Sequence, residues 1–138
     1  MTIEENKRLV ARFLDEVYNR GNLIVADELV APDYTSHNRL GIEVLGPEGI
    51  KAAAQAQRAA FPDQRTYVDE LIAEGDKVVV RGRDVGTHTG APFAGIEASG
   101  RPFEVSWIDV FRVEDGKVRE AWLEIDTGHL RSQLLGDG

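Results

Sequence analysis

Hydrophobic residues in the first sixty positions recur at the three- and four-residue spacing of amphipathic helices. This spacing predicts a helix over residues 3–20, a shorter helix over 23–30 and a third over 47–60, in which Pro47 occupies the first turn. Residues 33–46 follow no regular period and are predicted to be irregular. The first half of the chain is therefore predicted to be mainly helical.

Beyond position 65 the hydrophobic pattern changes to the two-residue alternation of strands. The predicted strands cover residues 66–73, 77–83, 103–113 and 117–126. Asp115-Gly116 marks a hairpin between the last two strands, and residues 127–135 are predicted to form a closing helix. Helices followed by consecutive strands predict an α+β fold, with the helices covering one face of a strongly bent antiparallel sheet.

Both faces of the predicted sheet carry apolar residues near its end. In the third strand one face has Phe103, Val105, Trp107 and Phe111, and the other has Ile108 and Val110. The helices can cover only one face, so the second face needs another partner. We predict a homodimer that buries four side chains of this outer face, namely Ile108, Val110, Leu123 and Ile125.

The last predicted strand carries a pattern that indicates chemistry. Period two puts Trp122, Glu124 and Asp126 on one face, whereas Leu123 and Ile125 point the other way. A buried carboxylate without partners is costly, so two carboxylates beside an aromatic ring are more typical of a lined pocket than of a hydrophobic core. We predict that this wall holds an acid/base.

The composition is that of an ordinary soluble globular protein, with 42% hydrophobic and 29% charged positions among 138 residues. One domain over residues 1–138 is predicted. The net charge of −8 opposes anionic partners, so neither nucleic acid nor an acidic membrane surface is expected as a partner. Because cysteine is absent, disulfides and thiolate chemistry are excluded, and a cytoplasmic location is expected. There is no basic leader and no long apolar run, so neither secretion nor membrane insertion is predicted.

Several motifs resemble those of one enzyme family in their order along the chain. They are Phe61-Pro62-Asp63, Leu71 to Arg81, Gly86 to Gly90, Ile108 to Arg112, Asp115 to Val118 and Trp122 to Asp126. Together they resemble the SnoaL-like polyketide cyclase (ester cyclase) family, which consists of small cone-shaped domains of the nuclear-transport-factor-2-like superfamily. The resemblance implies a cone-shaped α+β barrel and cofactor-free acid/base chemistry. The implied reaction is an intramolecular aldol cyclisation, or a related isomerisation, of an apolar carbonyl-bearing small molecule.

Three carboxylates are candidates for the acid/base. Asp126 matches the family's aspartate in the Trp-x-x-x-Asp motif, so the resemblance implies that it is the catalytic group. As an alternative, Asp126 only caps the final helix. Glu124 on the same face is a second candidate base, or it pairs with an arginine. Asp109 lies on the aromatic face of its strand and is predicted to point at the pocket or into a polar network beneath it.

The predicted pocket combines aromatic and polar side chains. The substrate-binding candidates are Tyr18, His37, Asn38, His88, Trp107, Phe111 and Trp122, with Phe13 as a further apolar wall. His37 is alternatively a loop histidine bonded to nearby backbone, and His88 is alternatively a solvated edge residue. The three histidines show no metal-ligand spacing, so no metal is predicted, and no cofactor is expected.

Two other functions are compatible with the sequence. An epoxide hydrolase or isomerase on the same fold would use Asp109, Arg83 and Asp126 together to activate a water molecule. A protein that only binds or sequesters an apolar ligand would need no carboxylate within hydrogen-bond reach of its cavity. The position of the carboxylates relative to the cavity therefore separates catalysis from simple binding.

Overall fold

The computed structural model describes residues 1–136, so the last two positions of the predicted domain lie outside the described range. In chain order its elements are α1 (Ile3–Phe13), a π-helical segment (Leu14–Asn19), α2 (Val25–Leu29), β1 (Val30–His37), α3 (Gly46–Ala60), β2 (Arg65–Glu74), β3 (Lys77–Thr87), β4 (Pro102–Glu114), β5 (Lys117–Ile125) and α4 (Thr127–Leu135). The predicted α+β class is confirmed, and the predicted helices and strands lie within a few residues of their observed positions.

One mixed sheet contains the strands in the order β1-β5-β4-β3-β2. The strands β2 to β5 pair antiparallel, as predicted, whereas β1 runs parallel to β5 at the edge of the sheet. The hydrophobic pattern did not predict β1, because Pro32 and the polar residues after it interrupt the alternation. Proline is tolerated in an edge strand, where its missing N–H is not needed for a second neighbour.

The helices cover one face of the sheet, which we term the inner face. α1 begins at a capping box in which the Thr2 hydroxyl accepts from the Glu5 N–H at 3.1 Å and the Glu5 carboxylate accepts from the Thr2 N–H at 3.2 Å. Its buried side chains pack towards β2 and β3, and α3 packs on β1. None of the helices in residues 1–136 combines the length and apolarity that crossing a membrane requires.

A β-bulge in β5 decides which of its side chains face inward. Val118 pairs with Val113 and Glu120 pairs with Arg112, so Arg119 is an extra residue on this strand. An extra residue exchanges the two faces for every position that follows it. Before the bulge the even-numbered Val118 faces inward. Beyond the bulge the odd-numbered residues of β5 face inward instead.

The facing predicted for the end of this strand is consequently wrong. Leu123 and Ile125 pack against the core of the inner face, although the outer face was predicted for them. Trp122 and Glu124 are exposed instead of lining a pocket, and Asp126 follows the strand at an exposed position. The alternation correctly grouped these residues into two sets, but the bulge reversed which set is buried.

The outer face carries a row of apolar side chains that the helices do not cover. Ile72 pairs with Val79, Val79 with Val110, and Val110 with Trp122, so the row crosses four strands. Ile108 lies beside this row with 48% of its surface exposed. The predicted uncovered apolar face therefore exists, with Ile108 and Val110 on it.

Candidate active site

A cavity of about 220 Å³ lies among side chains of the helices and of the inner face. Most of its wall is apolar and includes Phe13, Ile50, Phe103, Phe111, Leu123 and Ile125. The polar side chains on the same wall include Tyr18, Tyr34, Asn38, Gln57, Asp84 and Asp109. An apolar cleft with a few convergent polar groups is typical of a small-molecule site.

Asp109 is the cavity carboxyl with the fewest interactions. The unbroken pairing of β4 with β3, in which Asp109 lies opposite Val80, directs its side chain to the inner face. Its Oδ1 is buried and has no hydrogen-bond partner among the described residues. Burial raises the pKa of this carboxyl well above its ordinary value, because the charged form loses its hydration. An unpaired carboxyl with a raised pKa is a suitable general base.

Asp84 is a second cavity carboxyl, in a different environment. Its Oδ1 accepts hydrogen bonds from the Thr66 hydroxyl at 2.9 Å and from the Trp107 Nε1–H at 3.1 Å, and its Oδ2 accepts from Gln57 Nε2 at 3.3 Å. Burial raises the pKa of Asp84, while these three donors act in the opposite direction. Asp84 is not among the site residues predicted from the sequence, although period two from the buried Val80 places it on the inner face.

The Trp107 indole reaches Asp84 because β3 has a glycine in its path. A β-carbon on Gly82 would lie 2.6 Å from Trp107 Cζ2 and 2.7 Å from the Tyr67 carbonyl oxygen, closer than real side chains approach. Without one, the ring lies against the strand and its N–H extends to the carboxylate. Gly82 therefore fixes the aromatic wall of the cavity.

Two tyrosine hydroxyls share the cavity with the carboxyls. Burial raises the pKa of Tyr18, and the negative charges of Asp109 and Asp84 raise it further. Burial likewise raises the pKa of Tyr34, with smaller contributions from Tyr18 and Asp109. Both phenols therefore keep their protons at neutral pH and are available as hydrogen-bond donors.

Residues 8–134 match the protein family described as SnoaL-like polyketide cyclase. The chain belongs to this family. It is 29% identical to aklanonic acid methyl ester cyclase DauD of Streptomyces sp. (strain C5) over 119 residues, which cover 80% of this chain and 70% of that protein. It is also 29% identical to the cyclase DnrD of Streptomyces peucetius, over 80% of this chain and 78% of that one. The solved structure of TsrD from Streptomyces laurentii has a TM-score of 0.87 and 35% identity, covering 97% of both chains.

Family membership confirms the resemblance inferred from the sequence motifs. The prediction that Asp126 lies on the wall of the pocket is wrong for this SnoaL-like protein. Asp126 does not line the cavity. It is the N-cap of α4, where its Oδ1 accepts from the His129 N–H at 3.0 Å, and its side chain is exposed. The alternative considered for Asp126, a helix cap, is thus the role that the structure shows.

Three further predicted site residues lie on the outer face of this SnoaL-like domain. The His37 ring stacks on Trp122 with centroids 5.4 Å apart, and its Nε2 lies 2.7 Å from a carboxylate oxygen of Glu120. Glu124 is 3.6 Å from Arg39, and both side chains are largely exposed. The predictions that His37, Trp122 and Glu124 line the pocket are therefore wrong, because the β5 bulge and the parallel pairing of β1 turn them outward.

His88 and Arg83 are also outside the cavity lining. His88 is completely buried, with its Nε2 2.9 Å from the Ala91 carbonyl oxygen and its ring against Phe61, so it is neither a pocket residue nor a solvated edge residue. Arg83 pairs with Asp69 at 3.3 Å. The set expected for an epoxide hydrolase is consequently not assembled, since Asp109 alone of its three members lines the cavity.

The remaining predicted lining residues do face the cavity. They are Phe13, Tyr18, Asn38, Trp107 and Phe111, together with the carboxyl of Asp109. Asn38 lies in the segment after β1, where its Oδ1 accepts from the Leu40 N–H at 2.9 Å and holds a tight turn. Within residues 1–136, no three His, Cys, Asp or Glu side chains converge in a metal-ligand arrangement.

Proposed function

We propose that this SnoaL-like protein catalyses an intramolecular aldol cyclisation, without a cofactor, of an apolar carbonyl-bearing molecule bound in the cavity. Asp109 is the acid/base in this proposal. The observation that supports it is a carboxyl on the wall of an apolar cavity, with its pKa raised by burial and its Oδ1 without a hydrogen-bond partner in the described part of the chain. Two similar proteins are named aklanonic acid methyl ester cyclases, which makes that compound the first substrate to test.

The proposed reaction needs one group that takes and returns a single proton. Ionised Asp109 removes a proton from a carbon next to a carbonyl group, and the enolate carbon then attacks a second carbonyl carbon of the same molecule. This step forms the C–C bond that closes the ring and leaves an alkoxide, which takes the proton back from Asp109. Atoms and charge balance within the substrate and one carboxyl. The raised pKa brings the base closer to neutral pH, where proton transfer is most efficient.

Tyr18 and Tyr34 are the proposed donors to the developing enolate oxygen. Both line the cavity, and both keep their protons because burial raises their pKa. Neutral donors that are already fixed in a site shielded from water stabilise negative charge better than water does, since they need not reorganise during the reaction. The apolar wall orients the ring system of the substrate.

Turnover of aklanonic acid methyl ester by Asp109→Asn tests this assignment. Asparagine keeps the shape of the side chain and cannot accept the proton, so kcat is expected to fall by about two to four orders of magnitude while the substrate still binds. Asp126→Asn is the matched control, because asparagine also caps helices and turnover should not change. Full turnover in Asp109→Asn would contradict the assignment. Binding without turnover by the wild-type protein would favour a ligand-binding function instead.

We also propose that two copies associate through the outer face of the sheet, with the row of Ile72, Val79, Val110 and Trp122 at the centre. Ionic pairs flank this row on both sides, Arg81 with Glu70 at 3.1 Å and Arg112 with Glu120 at 3.1 Å. Because each flank carries both signs of charge, a two-fold contact brings opposite charges together around the apolar row. Ile108 and Val110, which the sequence predicted for the dimer interface, lie on this face. Leu123 and Ile125, which the sequence also predicted there, face inward and are not part of the proposed interface.

A further inference from the structure

We propose that Asp84 determines substrate specificity by accepting a hydrogen bond from a hydroxyl group of the bound molecule. The ligand class is then an apolar ring system with a phenolic or enolic O–H at the end away from the reacting carbon. This inference rests on the proposed function in taking the cavity as the substrate site and Asp109 as the group next to the reacting carbon. It assigns no proton transfer to Asp84.

The hydrogen bonds of Asp84 leave one of its oxygens available. Oδ1 already accepts two bonds, from Thr66 at 2.9 Å and Trp107 at 3.1 Å. Oδ2 accepts one long bond of 3.3 Å from Gln57 Nε2, which makes its shorter bond of 2.8 Å to Gln64 Oε1. An ionised carboxylate oxygen has more than one acceptor site, so Oδ2 can take a further donor. Asp84 lines the cavity, where a ligand can supply that donor.

The surroundings of Asp84 select the kind of ligand group. The three donors are neutral, and no lysine or arginine within residues 1–136 forms an ion pair with this carboxylate. Its negative charge therefore repels a ligand carboxylate or a bare carbonyl oxygen, and it attracts an O–H. A hydrogen bond with a charged partner is roughly twice as strong as a neutral one.

The two cavity carboxyls are suited to different tasks because their environments differ. Among the described residues, Asp109 Oδ1 has no donor partner, whereas Asp84 has three donors. Asp109 lies opposite Val80, and Asp84 is four residues further along β3, so their backbone positions are about 13 Å apart along the strand direction at the usual rise of a strand. A molecule that contacts both carboxyls therefore extends along the inner face. Its hydroxyl end and its reacting end are then held apart.

The two tryptophans of the chain provide a test that does not depend on turnover. Trp107 donates its indole N–H to Asp84, while Trp122 lies on the outer face, so the two indole ¹H–¹⁵N resonances report on the site and on a remote control position. Naphthalene and 2-naphthol are the probes, since they differ by one hydroxyl group. We expect 2-naphthol to bind about tenfold tighter, the effect of one hydrogen bond to a charged group. It should shift the Trp107 resonance more than naphthalene does and leave the Trp122 resonance unchanged.

Two variants separate this inference from the proposed reaction. In Asp84→Asn the preference for 2-naphthol should fall to about threefold, because the remaining hydrogen bond is neutral. In Asp109→Asn the preference should stay near tenfold although turnover is lost. If Asp84→Asn does not fold, as judged by its Trp122 resonance, the comparison of the two probes on the wild-type protein decides. Equal affinity of the probes, an unmoved Trp107 resonance, or an unchanged preference in a folded Asp84→Asn would overturn the inference.

Discussion

Replacing the proposed base by its amide should make the protein more stable while removing its activity. In Asp109→Asn a neutral amide of the same shape replaces a carboxyl whose Oδ1 is buried without a hydrogen-bond partner in residues 1–136. Burial also raises the pKa of this carboxyl. An unsatisfied buried acceptor costs about 1–3 kcal/mol, and more when it is charged. Because the amide is buried as well, the substitution removes only the part of this cost that comes from the negative charge. We expect the free energy of unfolding at pH 8 to rise by about 1–2 kcal/mol.

The pH dependence of this gain has a definite sign. Burial raises the pKa of Asp109 in the folded state above its value of 3.8 in the unfolded chain. Between these two values the unfolded chain ionises first, so the wild-type protein loses stability as pH rises through this window, and the loss is constant above it. Below the window the carboxyl is protonated in both states, and the variant has no advantage.

Urea unfolding of both proteins at pH 3, below this window, and at pH 8 measures the difference directly. Asp126→Asn is the control, since its side chain is exposed and its cap is retained, and it should show no pH-dependent gain. A variant Asp109→Asn that is no more stable than the wild-type protein at pH 8 would refute the reasoning. An equal gain at both pH values would also refute it, because the charge would then not be the cause.

Three further changes have expected outcomes. Asp126→Ala should lower the free energy of unfolding by about 1 kcal/mol in urea titrations, with turnover unchanged. Gly82→Ala should cost about 1–3 kcal/mol and alter tryptophan fluorescence, because the new β-carbon would meet the Trp107 ring. Val110→Lys should convert a dimer into a monomer of 15.2 kDa in light scattering. A wild-type protein that is already monomeric at micromolar concentration would contradict the proposed interface.

The sequence predicted the inner face of β4 correctly because the pairing of this strand with β3 has no interruption. The register runs without a shift from Arg112 opposite Lys77 to Pro102 opposite Thr87. Period two therefore holds along the whole strand, and Trp107, Asp109 and Phe111 all line the cavity as expected. Where pairing is regular, the alternation of side chains is sufficient to place a carboxyl in a cavity.

The error in β5 has an equally local cause. Arg119 is an extra residue relative to β4, and a bulge of this kind depends on the pairing of two strands rather than on the alternation within one. Alternation extended from the buried Val118 then selects Trp122 and Glu124 as inward, whereas the structure exposes both. The parallel strand β1 was missed for a related reason, since a strand at a sheet edge does not need continuous alternation.

What distinguishes a base from a cap is the set of partners around a carboxyl, and these partners come from elements distant in sequence. Asp126 is exposed, and its Oδ1 accepts a hydrogen bond from the His129 N–H at 3.0 Å. Within residues 1–136, Asp109 Oδ1 has neither solvent nor a donor to stabilise a charge, because β4 turns the side chain towards the apolar cavity. Asp84 lies between these extremes, with three donors and, among residues 1–136, no ion-pair partner. Three aspartates of identical intrinsic chemistry thus acquire three environments, and the environment of Asp109 is the one in which removing a proton from carbon becomes favourable.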